Sequence, residues 1–135
     1  MSAFVDTNVL VYAADEVTPQ PRKTRIAREI LLGRNLHLSV QVLSEFIASA
    51  RHPKKLDFSS RQEAAWLKQF LRFPVAPLTE RTFTGALEIH SRFGLSHWDS
   101  MILASARESR CPTLYSEDFS DGQEYDGVTV VNPFR

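Results

Sequence analysis

The sequence predicts an α/β protein in which helices pack on a largely parallel sheet. Three observations lead there. Short apolar runs that end in polar residues stand near both ends of the chain, segments with helical apolar spacing lie between them, and glycine, proline or asparagine separates the segments.

Ser2 to Val5 is the first apolar run, and it stops at Asp6, as a buried strand ending in a polar residue does. A helix or turn is expected to follow. Thr24 to Leu32 carries Ile26, Ala27, Ile30 and Leu31 at helical spacing, and Gly33 with Arg34 and Asn35 stops it. Leu36 to Leu38 is a second candidate strand. Ser39 is placed to cap a helix through about Arg51, with the stripe Leu43, Phe46, Ile47 and Ala50, closed by His52 and Pro53.

Ser59 or Ser60 can cap the next helix, which runs to about Leu71 and ends before Pro74 and Pro77. Thr79 can cap a helix from about Glu80 to Phe93, with Gly94 as its terminating glycine. Ser96 to Glu108 is a further helix. Pro112 opens a strand through Tyr115, an acidic loop follows, and Val128 to Val131 is the last strand before Asn132 and Pro133. One short extra strand fits between the helix ending near Leu71 and the one starting near Glu80. Strand order does not follow from such a list.

The 135 residues suit one domain over the whole chain, 1–135, and 43% apolar with 24% charged residues is a globular composition. Apolar runs such as Met101 to Ala104 fall far short of the roughly 20 residues a membrane helix needs, and the N-terminus lacks a secretion-signal pattern, so a cytoplasmic protein without membrane association is expected. Cys111 is the single cysteine, which excludes an intramolecular disulfide.

The formal charge of zero conceals a polarity. Pro19 to Arg72 holds 11 Lys or Arg against 4 Asp or Glu, whereas Thr113 to Gly127 holds 5 acids and no base. Such a split suits an enzyme that attracts a polyanion and holds metal where it reacts; solvated helix faces would produce it too.

Candidate site residues come from position. In an open parallel sheet, ligands bind beyond the carboxyl ends of strands, where Asp6 stands, although a helix N-cap explains Asp6 as well. Asp99 lies three residues after Ser96, a spacing that also fits a capping box. Glu45 falls opposite the apolar stripe of its helix, beside Gln41 and Ser49, on a face that either meets solvent or lines a cleft. Ser116 to Asp121 follows the strand ending at Tyr115 and again sets carboxylates beyond a strand end.

Carboxylates that converge raise one another's pKa values unless cations neutralise them. Hard ions such as Mg²⁺ or Mn²⁺ take oxygen ligands, whereas zinc would want His or Cys, and His37, His52, His90 and His97 have no ligand-like spacing. Paired ions can serve an in-line phosphoryl displacement, so phosphodiester hydrolysis is the expected class.

The segment Ala3-Phe4-Val5-Asp6-Thr7-Asn8-Val9-Leu10 resembles the start of PIN-domain proteins, in particular VapC toxins of bacterial toxin–antitoxin pairs. Ser39 to Phe46 resembles their second motif, Ser96 to Ser100 their third, Leu114 to Phe119 their fourth, and Asn132-Pro133-Phe134 their usual ending. The resemblance covers almost the whole chain. It implies a three-layer α/β/α sandwich with a mostly parallel sheet, and a Mg²⁺- or Mn²⁺-dependent endoribonuclease that leaves a 5′-phosphate and a 3′-hydroxyl. It also implies that Asp6, Glu45, Asp99 and Asp118 are catalytic metal ligands, with Asn8 and Ser116 orienting them or the attacking water and Asp121 the reserve fourth acid. A homodimer and a cognate VapB-type antitoxin are implied partners.

Rival readings are weaker. A phosphatase with an aspartyl nucleophile usually needs a second Asp where Asn8 stands, and the paired acids of a receiver domain are not evident. A non-catalytic interaction module of the same fold would be expected to lack one of the four acids, and none is missing.

Overall fold

The computed structural model describes residues 1–135 and gathers every expected strand into one six-stranded sheet. In chain order the elements are β1 (Ala3–Val5), α1 (Thr7–Ala14), α2 (Pro21–Leu31), β2 (Leu36–Ser39), α3 (Val40–Arg51), α4 (Ser60–Phe70), β3 (Val75–Ala76), α5 (Glu80–Phe93), α6 (His97–Glu108), β4 (Thr113–Tyr115), β5 (Glu124–Tyr125) and β6 (Val128–Val131). The sheet order is β3-β2-β1-β4-β6-β5, parallel throughout except for the β5–β6 pair. The expected mixed α/β fold with a mostly parallel sheet is what forms.

Right-handed crossovers decide where the helices go. The chain steps from β1 to β2 to β3 in one direction, which puts α1 to α4 on one face. It then returns past β1 to β4, which puts α5 and α6 on the other. Packing follows: α1 lies against α2 and α3, α5 against α6, and α6 against β2, β4 and β6. Phe4, Val5, Leu38, Leu114 and Val130 from the strands and Val9, Leu10, Phe46 and Leu103 from the helices have no exposed surface. An edge-on packing of Phe46 with Phe70, ring centres 4.9 Å apart, ties α3 to α4. No helix is long and apolar enough to cross a membrane.

The helix caps are those the sequence offers. Ser39, Ser59, Thr79 and Ser96 each accept a backbone N–H from the first turn of α3, α4, α5 and α6, and Gly94 ends α5 at φ +69°. The residues after Asp6 form a true helix, α1. Helix α2 starts at Pro21, ahead of the apolar periodicity, because proline at the first helical position gives up an N–H that would be unpaired anyway.

Strand β5 does not follow from the sequence pattern. Asp126 and Gly127 at φ +52° and +91° make the two-residue turn between Tyr125 and Val128, the Asp-Gly signal of a hairpin.

Candidate active site

Strands β1 and β4 are neighbours, yet the chain leaves them toward opposite sides of the sheet. Crevices form beyond the carboxyl ends at such a switch point. The register pairs Val5 with Tyr115, which sets Asp6 and Ser116 side by side just past the sheet edge.

Asp6 is 4% exposed. One of its oxygens, Oδ1, accepts the Thr7 N–H at 2.7 Å and so caps α1; the other, Oδ2, accepts the Ser116 hydroxyl at 2.7 Å. Capping and a site role therefore coexist in this side chain. Burial pushes its carboxyl up to about 7, the Ser116 and Thr7 bonds hold it down, and the charges of Asp118 and Glu45 push it further up. Ser116 is fully buried and also accepts the Asp118 N–H at 3.1 Å and the Asn8 Nδ2 at 3.3 Å. Asn8 Nδ2 donates in addition to Asp118 Oδ2 at 3.0 Å.

Glu45 enters from α3. Its oxygens accept from Thr7 Oγ1 at 2.6 Å and Gln41 Nε2 at 3.3 Å. Of the two readings its helical wheel allowed, the cleft is correct. Gln41 and Ser49 are buried on the same face, and the solvent side of α3 is Val40, Ser44 and Ala48.

Asp99 sits in the first turn of α6. Ser96 Oγ accepts its backbone N–H at 3.1 Å, but the reciprocal half of the capping box is not made, so its carboxylate is not tied to the Ser96 backbone. Burial raises its pKa, the Ser96 side chain holds it down in part, and Asp118 and Glu45 raise it further. Asp6 and Asp99 thus both feel Glu45 and Asp118, and four acids distant in sequence share one electrostatic site.

Asp121 is elsewhere. It is exposed, accepts the Asn132 N–H at 2.7 Å and pairs with Arg135 at 2.6 Å, so those bonds hold its pKa down. Of the two, Asp118 is the one that lies near Asp6, through Asn8 and Ser116. Sequence reasoning also passes over Thr7 and gives Gln41 no role, although Gln41 lies four residues before Glu45, a spacing that brings helical side chains together.

The donor set suits a hard cation by chemistry. It offers carboxylate oxygens, and Asn8 Oδ1, on the amide that bonds Asp118, is buried with no hydrogen-bond partner. No three acids, histidines or cysteines stand close enough together to form a ready-made metal site. A groove of about 680 Å³ opens from Glu45 and Asp118 toward Tyr12, Lys54 and Lys55. Arg51, in the last turn of α3, is held by both oxygens of Glu63, at 2.7 and 3.1 Å.

Solved structures share this fold at low identity. A toxin–antitoxin complex from Klebsiella pneumoniae is similar at TM-score 0.73 and 22% identity, over 98% of each chain. VapC20 of Mycobacterium tuberculosis, a toxin that cleaves the sarcin–ricin loop, is similar at TM-score 0.68 and 20% identity over 87% of this chain and 90% of that one. VapBC2 from Rickettsia felis, bound to a DNA fragment from its promoter, is similar at TM-score 0.66 and 18% identity over 96% and 97%. No curated protein sequence matches significantly. The family model described as PIN domain matches residues 3–120, which includes all four clustered acids, and the chain belongs to the PIN-domain family.

Proposed function

We propose that this protein is a metal-dependent endoribonuclease, the toxin of a VapBC-type pair, with Asp6, Glu45, Asp99 and Asp118 as the residues that hold Mg²⁺ or Mn²⁺. The observation that carries the reading is the convergence of these four acids at the β1–β4 switch point, where Ser116 joins Asp6 to Asp118, Thr7 links the Asp6 turn to Glu45, and Gln41 links Glu45 to the peptide before Asp99. Bound there, a divalent ion would supply charge neutralisation and polarise the attacking water and a phosphate oxygen.

The chain's own side chains do the rest. Thr7 and Gln41 hold both oxygens of Glu45, Ser116 holds Asp6, and Asn8 steadies Asp118 against Ser116. Lys54 and Lys55 line the groove that leads away from the acids and would meet backbone phosphates. Carboxylates at the reacting end and lysines along the groove suit a polyanion cut in the middle. The toxin–antitoxin complexes among the structural relatives support a cognate VapB-type antitoxin, and the family resemblance supports a homodimer and a cytoplasmic site of action.

The test is product analysis. Single-stranded RNA incubated with the protein and Mg²⁺ should yield internal cuts bearing 5′-phosphate and 3′-hydroxyl ends. Cyclic phosphate ends, or release of mononucleotides from one terminus only, would contradict the mechanism.

A further inference from the structure

We infer that Gln41 is a positioning residue that sets Glu45 of α3 against Asp99 of α6 through the two N–H bonds of one amide. The inference rests on the nuclease reading above, and the observation behind it is geometric. Gln41 Nε2 donates to Glu45 Oε2 at 3.3 Å and to the backbone carbonyl of Trp98 at 3.1 Å. That carbonyl belongs to the peptide unit whose other end is the N–H of Asp99, and the N–H is held by Ser96 Oγ at 3.1 Å.

The peptide in front of Asp99 is therefore pinned on both sides, by Ser96 at its N–H and by Gln41 at its carbonyl. Glu45 is pinned on both oxygens too, by Thr7 at 2.6 Å and by Gln41. One side chain completes both clamps. The two acids come from helices on opposite faces of the sheet, and Gln41 is the side chain that bonds to both Glu45 and the Asp99 peptide.

The cost of this arrangement argues for its use. Gln41 is 3% exposed, and its Oε1 is buried without a partner. An unsatisfied buried acceptor costs stability, and an apolar residue of similar size would avoid that cost. Turning the amide over would aim Oε1 at two acceptors, Glu45 and the Trp98 carbonyl, so the observed orientation is fixed by its partners. Asp99 and Glu45 share an electrostatic field in which a small change of separation alters how each would serve a cation.

Gln41→Leu removes both donors and keeps the volume; Gln41→Met is a second variant if leucine packs badly. Three quantities decide: Mn²⁺ affinity by calorimetric titration, kcat and KM on RNA, and the thermal midpoint in chelator. Groups that orient metal-holding side chains typically contribute about 10–100-fold in affinity or activity, so Mn²⁺ affinity and kcat should each fall by at least about tenfold. KM for RNA should stay within about twofold and the midpoint should move little, because the donor lost to Glu45 is offset by the orphaned acceptor that goes with the amide.

Mn²⁺ affinity and kcat that match wild type in either folded variant would overturn the inference. So would losses that simply track a lowered midpoint in both. A wild type that neither binds Mn²⁺ nor cuts RNA would overturn the nuclease reading itself, which separates that failure from this one.

Discussion

The hydroxyl of Ser116 donates to Oδ2 of Asp6 at 2.7 Å, and both residues are buried just beyond adjacent parallel strands. The same hydroxyl accepts from Asp118 N–H and Asn8 Nδ2, so it joins the first acid to the fourth. Ser116→Ala would strip Asp6 of a bond that lowers its pKa and leave the Asp118 N–H without an acceptor. Removal of a buried partner of this kind costs about 1–3 kcal/mol. Urea unfolding in chelator should show a destabilisation of that order together with weaker Mg²⁺ binding at neutral pH. An unchanged midpoint with unchanged affinity would remove Ser116 from the site.

Asp6 makes the metal-free protein sensitive to pH. Its carboxyl holds a proton up to about 7 in the folded protein and releases it near 3.8 in the unfolded chain. Between those values the folded state binds more protons, so raising the pH lowers stability across that window and has no further effect above it. Asp99 is shifted in the same direction. With chelator present, the stability difference between wild type and Asp6→Asn should grow in the variant's favour from pH 4 toward pH 7. A difference independent of pH would show that Asp6 titrates normally.

Lys54 and Lys55 line the groove, whereas Arg51 is bound to Glu63. Replacing both lysines by alanine should weaken RNA binding and flatten its dependence on salt, by roughly 0.7 in the logarithmic slope for each RNA phosphate that is no longer neutralised. Metal affinity should not change. An unchanged slope would put the RNA path on another face.

Much of this was legible in the sequence because local signals agreed with the tertiary fold. Ser39, Thr79 and Ser96 cap where their spacing said, and Asp6 ends its strand. After Asp6 the choice between helix and turn stayed open because the β-branched Thr7, Val9 and Val11 weaken the local helix signal. Strand β5 is only two residues long and has no periodicity to read; its Asp126-Gly127 turn was the available sign. Glu45 could not be oriented from its wheel, since a polar face over a cleft and one over solvent have the same period. What orients it is Thr7, 38 residues away.

The fourth acid can be assigned by substitution. Asp118 accepts from Asn8 within the cluster, while Asp121 is held by the Asn132 N–H and Arg135. Asp118→Asn should lower turnover on RNA by about tenfold or more, and Asp121→Asn should leave it near wild type. The reverse pattern would move the site toward the C-terminal loop.

If the four acids work by holding a divalent ion, cleavage must depend on that ion and on Asp6 together. The deciding quantity is the single-turnover rate of RNA cleavage by wild type and Asp6→Asn, each titrated with Mg²⁺ after treatment with chelator. Wild type should be inactive without the ion and recover fully when it returns, while Asp6→Asn should stay at least about 100-fold slower at every concentration, the effect of removing a group that acts only as part of the assembled site. Cleavage that persists in excess chelator, or an Asp6→Asn variant that follows the wild-type curve, would contradict a metal-holding role for the four acids.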